Sequence, residues 1–148
     1  MFERILLPLD GSALAEQALP YAVALARCQG GTIHVLRVAP ILVPLDVEAS
    51  AIAYQQVVEE ERAAAQSYVD RMVARLQQEG ISAEGQVKMG DPAGEILETA
   101  RQINASAITM ATHGRSGLGR LLFGSVADQV LRGASVPVLL IRATASRS

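Results

Sequence analysis

The sequence has 148 residues, of which half are apolar, with a charged fraction of 19% and a formal net charge of -2. These values predict a single domain, residues 1–148, whose core needs neither disulfides nor a metal. No run of basic residues offers a track for nucleic acid, and no apolar run reaches the roughly 18 to 20 residues of a membrane-spanning helix. The lone cysteine, Cys28, excludes an intramolecular disulfide. Because no secretory leader precedes the first strand, we expect a soluble, cytoplasmic protein whose partners include neither nucleic acid nor a membrane.

The first third of the chain predicts two buried strands around one helix. Residues 5–9 form a continuous apolar run, which is typical of a strand covered on both faces. From Leu14 the apolar residues recur at helical spacing until the pair Gly30 and Gly31. Residues 32–38 are rich in strand formers and predict the second strand. Residues 39–53 contain two prolines and no clear period, and we expect a mobile lid or a partner-facing loop there.

The remainder of the chain continues to alternate helices with strands. The spacing first predicts a long helix that ends near Gly80, with apolar positions at Ala65, Val69, Met72, Val73 and Leu76. A strand over 81–89 and a helix that starts at Asp91 and Pro92 follow. The last three predicted elements are a strand over 107–111, a helix over 126–134 and a strand over 136–141. Such alternation predicts right-handed crossovers, and therefore a doubly wound α/β fold with a five-stranded parallel sheet and helices on both faces.

Ligands of such sheets bind beyond the carboxyl ends of the strands, at the point where the strand order reverses. The commonest five-stranded orders place the first and fourth strands side by side at that point. Residues 8–12 are therefore expected to lie beside residues 110–114, and a ligand site is predicted between them.

A glycine-rich loop follows the fourth predicted strand. It spans residues 114–120, and Gly124 and Ser125 then open a helix. Glycines allow backbone amides to converge, and a helix N-terminus adds N–H groups with a partial positive charge, so the segment predicts a phosphate cradle. The only lysine of the chain, Lys88, lies elsewhere. Phosphate charge would therefore be met by backbone amides, Ser125, Arg115 or Arg120, and a metal ion.

These residues carry a resemblance to a known family. Ala111-Thr112-His113-Gly114, nine residues, and then Gly124-Ser125 resemble the nucleotide loop of universal stress proteins. Residues 5–12, 90–92 and 136–141 are also similar to that family, so the resemblance spans nearly the whole chain. In the family's ATP-binding branch the loop reads glycine, two residues, glycine, nine residues, glycine, then serine or threonine. Ala111 stands here in place of the first glycine.

The resemblance implies a Rossmann-like fold of the adenine nucleotide alpha hydrolase type with strand order 3-2-1-4-5. It also implies binding of ATP, or of ADP or AMP, with magnesium, and a regulatory homodimer that acts on an unidentified protein partner. Because residues 136–141 are almost wholly apolar and would form an exposed edge of the sheet, we expect the homodimer to form through this C-terminal strand. Asp10 would meet the ribose or a metal, and Val38 would contact adenine through its backbone. The implied binding residues are Pro8, Leu9, Asp10, Val38, Met110, Ala111, Gly114, Arg115, Gly124, Ser125 and Val126, with Asp10 also the metal ligand.

Several residues have a structural alternative. Ser125 and Asp128 together have the form of a capping box, and Asp10 with Ser12 could cap the first helix. His113 has no carboxylate or nucleophile beside it in sequence, so it is read as a turn residue, and no catalytic residue is predicted. The functional alternatives are a slow ATPase, a nucleotide-dependent transferase, and a protein that dimerises without nucleotide.

Overall fold

The computed structural model describes residues 1–41, 51–113 and 124–144. Most of the predicted lid, residues 42–50, and the glycine-rich loop, residues 114–123, lie outside the described residues. The elements are β1 Arg4–Pro8, α1 Leu19–Gln29, β2 Thr32–Ala39, α2 Ala51–Gln78, β3 Ser82–Met89, α3 Pro92–Gln102, β4 Ala107–His113, α4 Ser125–Gly133 and β5 Val138–Ala143.

The five strands form one parallel sheet in the order β3-β2-β1-β4-β5, which confirms the predicted fold class and strand order. Strand β1 is central, because Ile5 is level with Ile33 of β2 on one side and with Ala107 of β4 on the other. The chain moves outward from β1 to β3 in one direction and from β4 to β5 in the other. The strand order therefore reverses between β1 and β4, as expected.

Two core clusters lie on opposite faces of the sheet. Ile5 and Leu7 pack with α1 and α2, whereas Leu6 packs with α3 and α4. Successive side chains of a strand point to opposite faces, so a strand between two helical layers must be apolar at every position. This requirement explains the continuous apolar run at the start of the chain.

The first helix begins later than the sequence predicts. Residues Ala15–Ala18 form a 3-10 turn, and α1 starts only at Leu19. Pro20 lies in the first turn of α1, where backbone N–H groups have no partner within the helix. The absence of an N–H on proline therefore costs the helix no hydrogen bond. A periodicity that starts at Leu14 cannot distinguish the 3-10 turn from the helix that follows it.

Other boundaries also differ from the prediction by a few residues. Helix α2 begins at Ala51, inside the segment 39–53 that was expected to be a loop. Strand β5 begins at Val138 rather than at residue 136. Pro137 has no N–H for a strand ladder, although its carbonyl accepts a hydrogen bond of 2.9 Å from the N–H of Ile108.

Close packing of α2 on β3 depends on Gly85. A Cβ atom at this position would overlap Cγ1 of Val69 and would lie 2.9 Å from Cγ2 of Val73. Both valines belong to α2, and Val69 is buried. Glycine at position 85 thus allows the helix to lie against the strand.

We predict that Gly85→Ala lowers the free energy of unfolding by about 1–3 kcal/mol, since the added methyl group must displace α2 from the sheet. Urea denaturation measures the change. Gly124→Ala is the control, because a Cβ at Gly124 meets no heavy atom within 4 Å. An unchanged unfolding midpoint for Gly85→Ala would show that α2 can move away at no cost.

Candidate functional site

A cavity of about 410 Å³ opens at the carboxyl ends of β1, β2 and β4. The first turns of α3 and α4 close it on the other side. Its lining consists of Pro8, Leu9, Asp10, Ala15, Leu36, Arg37, Val38, Pro40, Pro92, Ile96, Met110, Ala111, Thr112, Gly124, Ser125, Val126 and Ala127. The cavity therefore lies at the reversal of strand order, where the fold places a ligand.

Every binding residue predicted from the sequence that the structure describes lines this one cavity. These residues come from four separate stretches of chain, after β1, in β2, in β4 and at the start of α4. Gly114 and Arg115 lie outside the described residues, as does Arg120, and nothing is described of the His113 side chain.

The lining has an apolar part and a polar part. Leu36 and Val38 of β2, Ile96 of α3 and Met110 of β4 belong to the core cluster beneath α3 and α4, and they also face the cavity. The polar groups are Asp10, Arg37, Thr112 and Ser125. An apolar lining that carries a few polar groups suits a flat ring with a polar substituent.

Asp10 and Ser12 shape the loop that leaves β1. Asp10 Oδ1 accepts a hydrogen bond of 2.8 Å from the N–H of Ser12, and Ser12 Oγ accepts one of 3.1 Å from the N–H of Ala15. Ser12 therefore holds the start of the 3-10 turn, while α1 itself begins without a capping side chain. The alternative in which Asp10 caps the first helix is not what the structure has, and Asp10 lines the cavity instead.

Helix α4 presents its N-terminus to the cavity. Its N-cap is Gly124, whose N–H donates to Oγ1 of the buried Thr112 at 3.2 Å, so that the end of β4 holds the start of the helix. The capping box expected from Ser125 and Asp128 is wrong. Ser125 lies inside the first turn and makes no capping hydrogen bond, and Asp128 Oδ2 instead accepts a hydrogen bond of 3.0 Å from Arg132 Nε.

The start of α4 consequently has the properties of an anion site. The first N–H groups of a helix have no partner within the helix, and no side chain caps them here. Ser125, Val126 and Ala127 all line the cavity. Together with the partial positive charge of the helix N-terminus, these groups favour an anionic ligand group at this end of the cavity.

Arg37 is a lining residue that the sequence analysis missed. It follows Val35 and Leu36 in a buried strand, and its Nη1 donates a hydrogen bond of 2.9 Å to the Val38 carbonyl. The signal that could have identified it is a charged residue within an otherwise apolar run at the carboxyl end of a strand. Leu36, Pro40, Pro92, Ile96 and Thr112 were also missed, because each appeared in sequence only as a core or loop residue.

The pKa of Tyr68 in α2 depends on burial and on nearby charged side chains. The pKa of Tyr68 is raised to about 12, chiefly by burial and also by the negative charges of Glu16 and Asp10, against a lowering effect of the positive charges of Arg37 and Arg71. The hydroxyl of Tyr68 is buried and has no hydrogen-bond partner among the described residues. Charges of both signs therefore influence Tyr68, and two of these residues, Asp10 and Arg37, also line the cavity.

Residues 1–41, 51–113 and 124–144 contain neither a metal-binding cluster nor a membrane-spanning helix. In those ranges no group of three or more His, Cys, Asp or Glu side chains is arranged to hold a metal ion, and Asp10 is thus not part of such a cluster. No helix within the same ranges has both the length and the hydropathy needed to cross a bilayer.

The strand order and the position of the cavity define the class of this molecule as an open, doubly wound α/β protein with a ligand cavity where the strand order reverses. A model of the universal stress protein family matches residues 1–142, and the chain belongs to that family. It is similar to universal stress protein MJ0531 of Methanocaldococcus jannaschii, with 32% identity over 145 residues that span 96% of this chain and 83% of the relative.

Solved structures share the fold. The hypothetical protein MJ0577 superimposes with a TM-score of 0.81 at 24% identity, and the match covers 99% of both chains. The universal stress protein from Archaeoglobus fulgidus in complex with dAMP superimposes with a TM-score of 0.66 at 23% identity, covering 96% of this chain and 98% of that one. At these identities the likeness establishes the fold.

We predict that Tyr68→Phe removes the step at highest pH from the tyrosine absorbance titration, because the pKa of Tyr68 is raised to about 12. An unfolded tyrosine ionises near pH 10. Between about pH 10 and 12 the unfolded chain has therefore lost this proton while the folded chain keeps it, and stability falls as the pH rises. Denaturation at several pH values should show a shallower loss for Tyr68→Phe, and an identical pH dependence in both proteins would contradict the assignment.

Proposed function

We propose that this chain binds an adenine nucleotide in the cavity at the carboxyl ends of β1 and β4, and that it works as a nucleotide-dependent regulatory homodimer in the stress response. The observation that carries the proposal is the convergence of predicted nucleotide-binding residues from four separate stretches of sequence on one cavity. Chance would not be expected to bring residues so far apart in sequence to the same lining.

The lining residues support one orientation of the nucleotide. The adenine ring lies against the apolar residues Val38 and Met110, and the ribose lies at Asp10. The phosphates then reach the N-terminus of α4, where uncapped N–H groups line the cavity. A dAMP complex of the Archaeoglobus fulgidus relative supports an adenine nucleotide as the ligand class.

Ala111 is compatible with this site although the family pattern has glycine at its position. It lines the cavity but also packs against the core cluster of α1 and α2. Part of the surface of its methyl group is thereby taken up by the protein interior. The methyl group of Ala111 therefore takes up only part of the space that a ribose would need beside β4.

Magnesium fits the donor set at the polar side. Mg²⁺ is usually held by one or two carboxylates together with substrate phosphates and water. Asp10 lines the cavity and would supply the carboxylate, and the nucleotide would supply the phosphate oxygens. When bound, the ion would neutralise part of the charge of the outer phosphates.

The sparse charge among the described lining residues supports a regulatory role over rapid hydrolysis. Fast phosphoryl transfer combines a cationic phosphate clamp, a held metal and a group that orients the nucleophile. Among the described lining residues, Asp10 is the carboxylate and Arg37 is the cation. A nucleotide held here would persist, and its occupancy could report the energy state of the cell.

Isothermal titration calorimetry with ATP, ADP and AMP, with and without magnesium, tests the binding. We expect ATP to bind and its affinity to rise with magnesium. The matched variant is Gly124→Val, in which the side chain would stand in open space at the helix start where phosphate approaches. We expect Gly124→Val to lose nucleotide binding while its circular dichroism spectrum stays that of the wild type.

Two results would contradict the proposal. No heat of binding at millimolar nucleotide, with or without magnesium, would exclude a nucleotide site. Wild-type affinity in a correctly folded Gly124→Val protein would show that phosphate does not approach the start of α4. Mass spectrometry of ligand released from freshly purified protein adds an independent measurement, because it identifies whatever occupies the cavity.

The proposed dimer joins two copies through β5. This strand is an edge of the sheet, and its Leu139 side chain is 38% exposed. An edge strand leaves one row of backbone N–H and C=O groups unpaired, and an apolar edge favours pairing with a second chain. Strand β5 of a second copy would pair these backbone groups and would cover the apolar edge.

We predict that Leu139→Lys shifts the protein from dimer to monomer, since a lysine on an edge strand opposes strand pairing. Sedimentation velocity at tens of micromolar protein measures the change. Leu131→Lys is the matched control, because Leu131 lies on α4 and is 37% exposed, nearly the same fraction as Leu139. A wild type that sediments as a monomer, or equal effects of both substitutions, would contradict an interface at β5.

A further inference from the structure

The side chain of Gln17 holds the chain directly after β5. Its Nε2 donates a hydrogen bond of 2.7 Å to the carbonyl of Thr144, and the N–H of Thr144 donates one of 3.1 Å to Gln17 Oε1. The side-chain amide thus uses a donor and an acceptor on one residue, as a paired strand does. The two residues are 127 positions apart in sequence, so this contact joins the 3-10 turn after β1 to the end of the edge strand.

Thr144 follows the row of backbone groups at which a second copy would pair. The N–H of Ile108 in β4 donates to the carbonyl of Pro137, so every second residue from Pro137 onward directs its backbone groups towards β4. The residues between them in β5 direct theirs to the free edge of the sheet, and Thr144 is the next residue of that series. The contact with the glutamine side chain therefore adjoins the proposed interface.

The other end of this connection lies in the cavity. Asp10 and Ala15 both line the cavity. Ser12 joins them, because its N–H donates to Asp10 Oδ1 at 2.8 Å and its Oγ accepts from the N–H of Ala15 at 3.1 Å. Ala15 begins the 3-10 turn that contains Gln17. A series of hydrogen bonds and one turn of chain thus connects Asp10 with the end of β5.

We infer that Gln17 is a positioning residue that couples nucleotide occupancy of the cavity to pairing of β5 with a second copy. The inference rests on both parts of the proposed function, the nucleotide site and the β5 interface. A nucleotide whose ribose or magnesium ion contacts Asp10 orders the loop after β1, and through Gln17 it also orders the end of β5. Less conformational entropy then remains to be lost when a second copy pairs there, so bound nucleotide stabilises the dimer.

Sedimentation equilibrium with and without saturating ATP and magnesium measures this coupling. We expect ATP to lower the dimer dissociation constant of the wild type about tenfold, within the range usual for coupled sites. We expect Gln17→Ala to reduce this ratio to about threefold or less, and saturating ATP makes the ratio independent of the affinity of the variant. The remaining effect passes through β4, in which Ala111 lines the cavity and is level with Ile141 of β5.

Gln29→Ala is the matched control. Gln29 is the last residue of α1, and its Oε1 accepts a hydrogen bond of 2.7 Å from the N–H of Phe2, at the amino end of the strands and away from the cavity. This substitution removes the same kind of contact to a chain end and should keep the wild-type ratio. Gln17→Glu is a second variant, because a carboxylate accepts from the Thr144 N–H but cannot donate to its carbonyl. We expect it to behave as Gln17→Ala does.

Amide hydrogen exchange of Thr144, followed by NMR in Leu139→Lys, gives a measurement that needs no change at Gln17. No second copy protects the Thr144 N–H in a monomer. We therefore expect ATP to slow its exchange about threefold or more through the Gln17 contact, while exchange of the Phe2 N–H stays unchanged.

Several results would overturn the inference and leave the proposed function intact. One is an equal dimer dissociation constant with and without ATP, in wild-type protein that binds ATP and dimerises. Others are a wild-type ratio in Gln17→Ala, an equal loss of the ratio in Gln29→Ala, and unchanged exchange of the Thr144 N–H on addition of ATP. The wild-type ratio and the exchange measurement decide the point even if Gln17→Ala does not fold. Failure to bind ATP, or a wild type that stays monomeric, would instead exclude the proposed function itself.

Discussion

Burial of β1 on both faces and along both edges is the constraint on which the rest of this structure depends. Ile5, Leu6 and Leu7 are fully buried, and their side chains alternate between the two core clusters. The same strand pairs with β2 on one side and with β4 on the other. One short apolar segment therefore holds both helical layers and both halves of the sheet. The cavity forms at its carboxyl end because the neighbouring connections leave in opposite directions there.

The start of α4 contributes the second feature of the site, a helix N-terminus without a capping side chain. Gly124 cannot cap with a side chain, and Asp128 is paired with Arg132. The glycine is not needed for its backbone angles, since its φ of -51 is one that any residue adopts. What glycine provides is space, because a Cβ at this point would extend into an open volume. Phosphate could then approach the backbone N–H groups directly, and such an approach requires no lysine.

The strand order and much of the described cavity lining could be predicted from the sequence, because its motifs resemble those of a known family and because ligands of such sheets bind where the strand order reverses. Apolar runs mark buried strands. Asp10 lies two residues after β1 and Gly124 directly precedes α4, at the ends that a parallel sheet brings together. The predictions were wrong where two local structures share one sequence signal. In sequence, Ser125 and Asp128 have the spacing of a capping box, which would make Ser125 the N-cap. In the structure Gly124 is the N-cap, so the helix starts one residue earlier than that box requires.

Arg37 shows why the rest of the site could not be predicted. In sequence it is one polar residue in a strand, and nothing local indicates whether its side chain faces solvent, a helix or a cavity. In the folded chain Arg37 shares the cavity lining with Asp10 of the loop after β1, and its charge influences Tyr68 of α2. A single sequence does not specify that these segments lie close together. Pairing across the sheet and packing of α2 are tertiary properties, so they become visible only in the folded chain.

Strand β4 gives the cavity and the proposed dimer interface a shared rigid element. Met110 and Ala111 line the cavity, and they are level with Leu140 and Ile141 of β5. A ligand that shifts the end of β4 must therefore also shift the edge at which a second copy would pair. Coupling between two sites is reciprocal, so a nucleotide that strengthened the dimer would itself be bound more tightly by the dimer. Nucleotide affinity that rises with protein concentration is consequently the physical signature of a sensor whose cavity and interface act through β4.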